Sequence, residues 1–115
     1  MDLPVSRLNA EIAVAPQLGP EAMTAAAAAG FRSVINNRPD FEGGPEQPTS
    51  AAIEAAARAA GLEYVHLPVA SAFQSPEQAQ AMADALERLP KPVLAFCRSG
   101  ARSGRLYQMA CALRG

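Results

Sequence analysis

The chain has 115 residues, with 10 Lys+Arg against 11 Asp+Glu, half of its residues hydrophobic and 18% charged. That length fits one domain, 1–115, around a buried core, and the composition is too apolar for disorder. The balanced charge excludes the strongly basic footprint of a nucleic-acid binder, so an anionic substrate would be held by local groups rather than by the field of the whole molecule.

No apolar run approaches the roughly 20 residues needed to span a membrane. Met1 to Arg7 lacks the basic and apolar regions of a signal peptide. Cys97 and Cys111 fall at the start and towards the end of one expected helix, roughly 20 Å apart at about 1.5 Å per residue, too far to bridge. A reducing, cytoplasmic setting is expected.

In chain order, Glu11–Ala15 reads as a first strand ended by Pro16. Pro20-Glu21 opens a helix that runs to Ala29 and stops at Gly30, with Pro in its first turn and Gly beyond its end. Phe31–Asn36 is a second strand, followed by the turn-rich Asn37–Pro45. Thr49 or Ser50 caps a helix that runs to Ala60 before Gly61. Glu63–Leu67 is a third strand broken by Pro68. Ser75 caps a helix whose first residue is Pro76 and which runs to Arg88, placing Ala79, Met82, Ala83 and Leu86 on one face. Pro92–Phe96 is a fourth, wholly apolar strand, suited to a parallel sheet covered on both sides. A last helix runs from Ala101–Ser103 to about Leu113, with Met109 and Cys111 expected in the core. The alternation predicts an α/β fold, a three-layer sandwich with a parallel sheet of about four strands and helices on both faces.

Ligands of such sheets bind beyond the carboxyl ends of the strands. Cys97 stands at one such end, ahead of a helix. A strand-loop-helix turn points backbone N–H groups inward as an anion nest, and the same groups favour a thiolate, the nucleophilic form of cysteine. Ser99 and Gly100 permit the tight path, while Arg98, Ala101 and Ser103 complete the loop and Arg102 adds a planar cationic fork. A cysteine after an apolar strand is commonly a small buried hydrophobe. Two arginines and a glycine crowded at a strand end argue against that reading here.

The segments Phe96–Ser103, Val34–Asp40 and Pro90–Leu94 together resemble the DUF442 family, the phosphatase-like domain of beta-lactamase-hydrolase-like proteins. The resemblance extends from about Leu8 to Leu113. It implies a tyrosine/dual-specificity-phosphatase-like fold. It also implies a place in bacterial sulfide oxidation, beside persulfide dioxygenase-like or sulfide:quinone oxidoreductase enzymes.

Tyrosine phosphatases place His before the cysteine and five residues between Cys and Arg. Here Phe96 precedes Cys97, and only Arg98 to Ala101 separate it from Arg102, the loop length typical of rhodanese-like sulfurtransferases. Leu67–Phe73 contains no Asp to serve as a general acid. These features predict a sulfurtransferase: Cys97 takes sulfane sulfur from thiosulfate or a persulfide and passes it to a thiol acceptor such as glutathione. The alternative is a cysteine-dependent phosphatase with a phosphocysteine intermediate, in which Asp40 substitutes as the acid. Asp40 reads equally well as a carboxylate that caps its turn or pairs with Arg38. Arg38 fits either the mouth of the site or the surface, and Gln17 could donate to a bound oxyanion. A third reading is an inactive anion- or thiol-binding module. His66, the lone histidine, reads as a hydrogen-bonded structural residue. No cluster has metal-ligand spacing, so neither metal nor cofactor is expected. The ending Ala112–Gly115 fits either a free-standing chain or one module of a fusion.

Overall fold

The structure, a computed structural model, describes residues 3–114. Met1 and Asp2, part of the segment read for a leader, and Gly115, part of the ending read for a fusion, lie outside the described residues. The chain runs β1 (Ser6–Arg7), β2 (Ile12–Ala15), α1 (Ala22–Ala28), β3 (Ser33–Asn36), α2 (Ser50–Ala59), β4 (Glu63–His66), α3 (Pro76–Arg88), β5 (Val93–Phe96) and α4 (Ala101–Arg114).

The sheet has five strands in the order β1-β2-β5-β3-β4, so the expected four parallel strands gain an antiparallel edge. Two-residue β1 pairs Ser6 with Val14 and Arg7 with Ala13. Both of its residues are exposed, so it carries no buried-face periodicity that a sequence reading could detect. β2, β3 and β5 begin one or two residues later than the pattern suggests, β4 begins at Glu63 as expected and ends one residue early at His66, and α3 spans Pro76–Arg88 as expected. Ser75 accepts from the Gln78 backbone N–H and Gln78 returns a side-chain bond to the Ser75 N–H, a reciprocal cap that fixes where α3 begins.

Alternation divides the core. Ile12, Val14, Ile35, Val93 and Ala95 face α3 and α4, where Ala79, Met82, Ala83, Leu86 and Leu106 are buried. Ala13, Ala15, Val34, Leu94 and Phe96 face α1 and α2, packing on Met23, Ala26, Ile53 and Ala57. Small alanines on α1 and α2 bring those helices close to the sheet. Cys111 does not join the core. It is exposed on α4, whose buried residues are Arg102, Ser103, Leu106 and Ala110. Met82 is fully buried, and Met109 packs only partly against the core.

This order sets the position of the chemistry. β5 lies between β2 and β3, with Ala15, Phe96 and Asn36 in register at their carboxyl ends. The helices that follow β3 and β5 cover opposite faces, so the chain parts at this point and leaves a crevice. The loop after β5 therefore emerges at mid-sheet, flanked by the segments after β2 and β3. Among the described residues, no helix is long and apolar enough to cross a membrane.

Candidate active site

β5 is buried throughout, and Cys97 follows it directly with its own side chain fully buried. The Cys97 N–H donates to Ala15 O at 3.3 Å, which continues the β2–β5 pairing into the loop. The Gln17 N–H donates to Arg98 O at 3.2 Å, tying the segment after β2 to the same loop. Gly100 has φ +96°, and a Cβ there would lie 3.4 Å from both Ala15 C and Ala15 O. The left-handed backbone is what favours glycine here, since a Cβ at that distance would make only ordinary contact. The reversal sends the Gly100 N–H back to Cys97 Sγ at 3.0 Å.

Two opposing effects set the ionisation of Cys97. Burial pushes its thiol up, while backbone N–H groups of Ser103, Gly100, Ser99 and Arg102 stabilise the thiolate. The N–H groups win, and the thiol lies below its ordinary value. Ser103 is held in place for this: its Oγ donates to Asn37 Oδ1 at 2.8 Å, while Asn37 Nδ2 donates to Leu67 O at 2.9 Å. Buried Asn37 thus joins the loops after β3 and β4 to the first turn of α4 beneath the site.

Arg102 is the other buried member, 4% exposed in the first turn of α4. Its Nη1 donates to Glu42 Oε2 at 2.8 Å and to Val69 O at 3.0 Å, and its Nη2 donates to Glu42 Oε1 at 2.7 Å. A guanidinium has five donors. The two that remain, on Nε and Nη2, share the edge turned away from Glu42 and engage no described residue. Glu42 therefore fixes the fork while leaving one bidentate edge for an oxyanion.

Glu42 also accepts from Arg38 Nε at 2.8 Å, so one carboxylate joins two guanidinium groups. Hydrogen bonding from Arg102 is the largest influence on it. Burial opposes that influence, but Arg38 adds to it, and the carboxyl falls from 4.5 to about 2. Phe41, with φ +63°, turns the chain to deliver Glu42 to this position. A left-handed non-glycine residue costs roughly 1–2 kcal/mol, so the surrounding contacts must hold it there.

The folded pKa of Glu42 lies below its unfolded value, so its contribution to stability is fully present above pH 4.5 and is lost as pH falls towards 2. Glu42→Gln should flatten this limb of an acid-unfolding curve followed by circular dichroism. An unchanged limb would contradict the Glu42–Arg102 coupling.

The remaining expected residues take clear positions. Arg38 is buried, not on the surface: it pairs with Glu42, and its Nη1 donates to Gln17 Oε1 at 3.0 Å. Gln17 therefore supports Arg38, while its amide donates to Leu18 O at 2.8 Å. Asp40 Oδ1 accepts from the Ser50 N–H at 2.8 Å, capping the start of α2. His66 Nε2 lies 2.9 Å from Arg38 O, the structural bond expected of it. Arg98, Ser99, Ala101 and Arg102 border a cavity of about 480 Å³ at the mouth of the loop. Glu42, Ser71 and Arg105 also line it, and the sequence reading did not single these out. For Glu42 a signal existed, since it stands four residues after Arg38 in a loop on the expected sheet edge.

Residues 5–114 match the family described as beta-lactamase hydrolase-like protein, phosphatase-like domain. A beta-lactamase hydrolase-like protein of Xylella fastidiosa is 36% identical over 108 residues, which are 94% of this chain. The chain spans about a quarter of that relative's length, 25%. A candidate phosphatase from Neisseria meningitidis superposes with a TM-score of 0.88 at 28% identity, covering 99% of this chain and 80% of its own. The active form of Tk-PTP shares the fold, with a TM-score of 0.65 at 19% identity over 96% of this chain and 82% of its own. The likeness is to phosphatases, so it backs the phosphatase alternative above the expected sulfur transfer.

Proposed function

The chain belongs to the family of phosphatase-like domains of beta-lactamase hydrolase-like proteins, and on that premise we propose that it is a cysteine-dependent phosphatase with Cys97 as nucleophile. The observation that carries this reading is the set of loop N–H groups that turns on Cys97 Sγ and favours its thiolate beside the free edge of Arg102. The Cys97 thiolate attacks phosphorus, an S–P bond forms, and the P–O bond to the leaving group breaks. Water then attacks the phosphocysteine, releasing phosphate and restoring the thiolate. The Arg102 edge and the N–H groups of residues 98–102 stabilise charge on the equatorial oxygens. Cys97 is fully buried in this resting geometry, so residues 98–101 must draw back for substrate to reach sulfur.

The site offers no ready general acid. Asp40 is engaged at the start of α2, Glu42 is held ionised, and Leu67–Phe73 has no carboxylate. The substrates that fit are those whose leaving group departs as a stable anion. The same geometry favours a second reading, sulfur transfer through a Cys97 persulfide. The short loop places its N–H groups on the sulfur itself, a cradle sized for a single anionic atom.

Incubation with p-nitrophenyl phosphate, and separately with thiosulfate and cyanide, tests the two. Cys97-dependent release of p-nitrophenolate, with thiocyanate formation at background, is the expected result. Rapid thiocyanate formation without p-nitrophenolate release would replace phosphate chemistry with sulfur transfer.

A further inference from the structure

The cavity beside the Cys97 loop is larger than the proposed reaction at one phosphorus requires. Its volume of about 480 Å³ lies within the range of about 300–1,000 Å³ typical of small-molecule sites, whereas a single tetrahedral oxyanion has only five heavy atoms. Its charge is also unbalanced. Three arginines line it, and Glu42 is committed to Arg102 and Arg38. Arg98 and Arg105 form no ion pair among the described residues, in a chain whose net charge is −1.

Arg105, though exposed, is oriented by two hydrogen bonds. Its Nε donates to Gln74 Oε1 at 3.3 Å and its Nη2 donates to Ser71 O at 3.2 Å. Both acceptors are neutral, so they orient the guanidinium without cancelling its charge, and Nη1 remains unengaged. Arg98 lines the cavity from the start of the catalytic loop. Two unpaired arginines thus line one cavity beside the Cys97 loop, one of them oriented by neutral acceptors, and a guanidinium edge suits an oxyanion.

We propose that this cavity holds the leaving phosphate of a phosphoanhydride, with Arg98 and Arg105 as its ligands. The inference rests on the phosphatase reading above and names its substrate class. Cys97 thiolate attacks the terminal phosphorus, and the bond from that phosphorus to the bridging oxygen breaks. The electron pair stays on the bridging oxygen, so the distal phosphate departs as an anion and needs no proton. The two arginines bear the charge that a general acid would otherwise neutralise, which is why the site can work without one.

Hydrolysis of inorganic pyrophosphate and of p-nitrophenyl phosphate in metal-free buffer tests this, with wild type, Arg105→Gln and Arg105→Lys. Wild type cleaves both. Arg105→Gln is expected to lower kcat/KM for pyrophosphate about tenfold or more, the worth of a charge-assisted hydrogen bond, while the p-nitrophenyl phosphate value changes by less than about threefold. Arg105→Lys recovers part of the pyrophosphate loss. Cys97-dependent cleavage of p-nitrophenyl phosphate with pyrophosphate untouched overturns the second site and leaves the phosphatase reading standing. Equal losses on both substrates in Arg105→Gln overturn it too, by showing a structural role. Cleavage of neither substrate overturns both readings.

Discussion

Cys97→Ser is expected to abolish turnover, lowering kcat on the order of 10³-fold or more while the fold is retained. The sulfur is replaced by a smaller, equally buried oxygen, and the loop N–H groups that now face Cys97 Sγ can still find an acceptor. What is lost is the ionised nucleophile, because a serine hydroxyl has no adjacent base here. His66, the lone histidine, is engaged with Arg38 O, and Asp40 is engaged with the Ser50 N–H. In wild type the acidic limb of the rate profile should follow Cys97. Its pKa lies below the ordinary 9.0, so activity persists at lower pH than a free thiol would allow and falls as the thiolate is protonated. Cys111, exposed and remote from the loop, gives a control: Cys111→Ser should keep full activity. Comparable loss in both variants would point to a general thiol effect rather than to Cys97.

Arg102→Lys is the second large effect. A lysine carries the charge but not the fork, so it cannot grip Glu42 with one edge and an oxyanion with the other. Loss of one preorganised donor at the transition state corresponds to about 10²–10³ in kcat. The substitution also leaves Val69 O and Glu42 without their planar donors, so the melting temperature should fall along with the rate. Steady-state kinetics on p-nitrophenyl phosphate and a thermal melt check both. Near wild-type kcat would remove Arg102 from the reaction and leave it a structural tie between α4 and the loop after β3.

The parts of this molecule legible in its sequence are those governed by local chemistry. Ser75-Pro76 fixes the start of α3, the apolar run Val93–Phe96 marks a strand covered on both faces, and Gly100 marks a reversal that requires positive φ. The residues from Cys97 to Arg102 likewise declare an anion cradle within one loop. Contacts made between loops were not legible. Glu42 meets Arg102 only because β5 lies beside β3, which brings the two loops to one edge of the sheet. The tie from Asn37 to Ser103 arises from the same adjacency. Cys111 is exposed despite its hydrophobic neighbours, because these do not by themselves fix which side of a helix is covered. On α4 the covered side begins with Arg102 and Ser103, residues buried by pairing rather than by apolarity. The position of Asp40 could not be read either, since a carboxylate that caps a helix and one that donates a proton look alike until their partners are known.

The most direct test of the central claim is to quench the reaction with p-nitrophenyl phosphate at early times and map covalent adducts by peptide mass spectrometry. The expected result is a phosphoryl group on the peptide that contains Cys97, none on the peptide that contains Cys111, and no adduct in Cys97→Ser. Turnover with Cys97 unmodified throughout, or undiminished in Cys97→Ser, would contradict it.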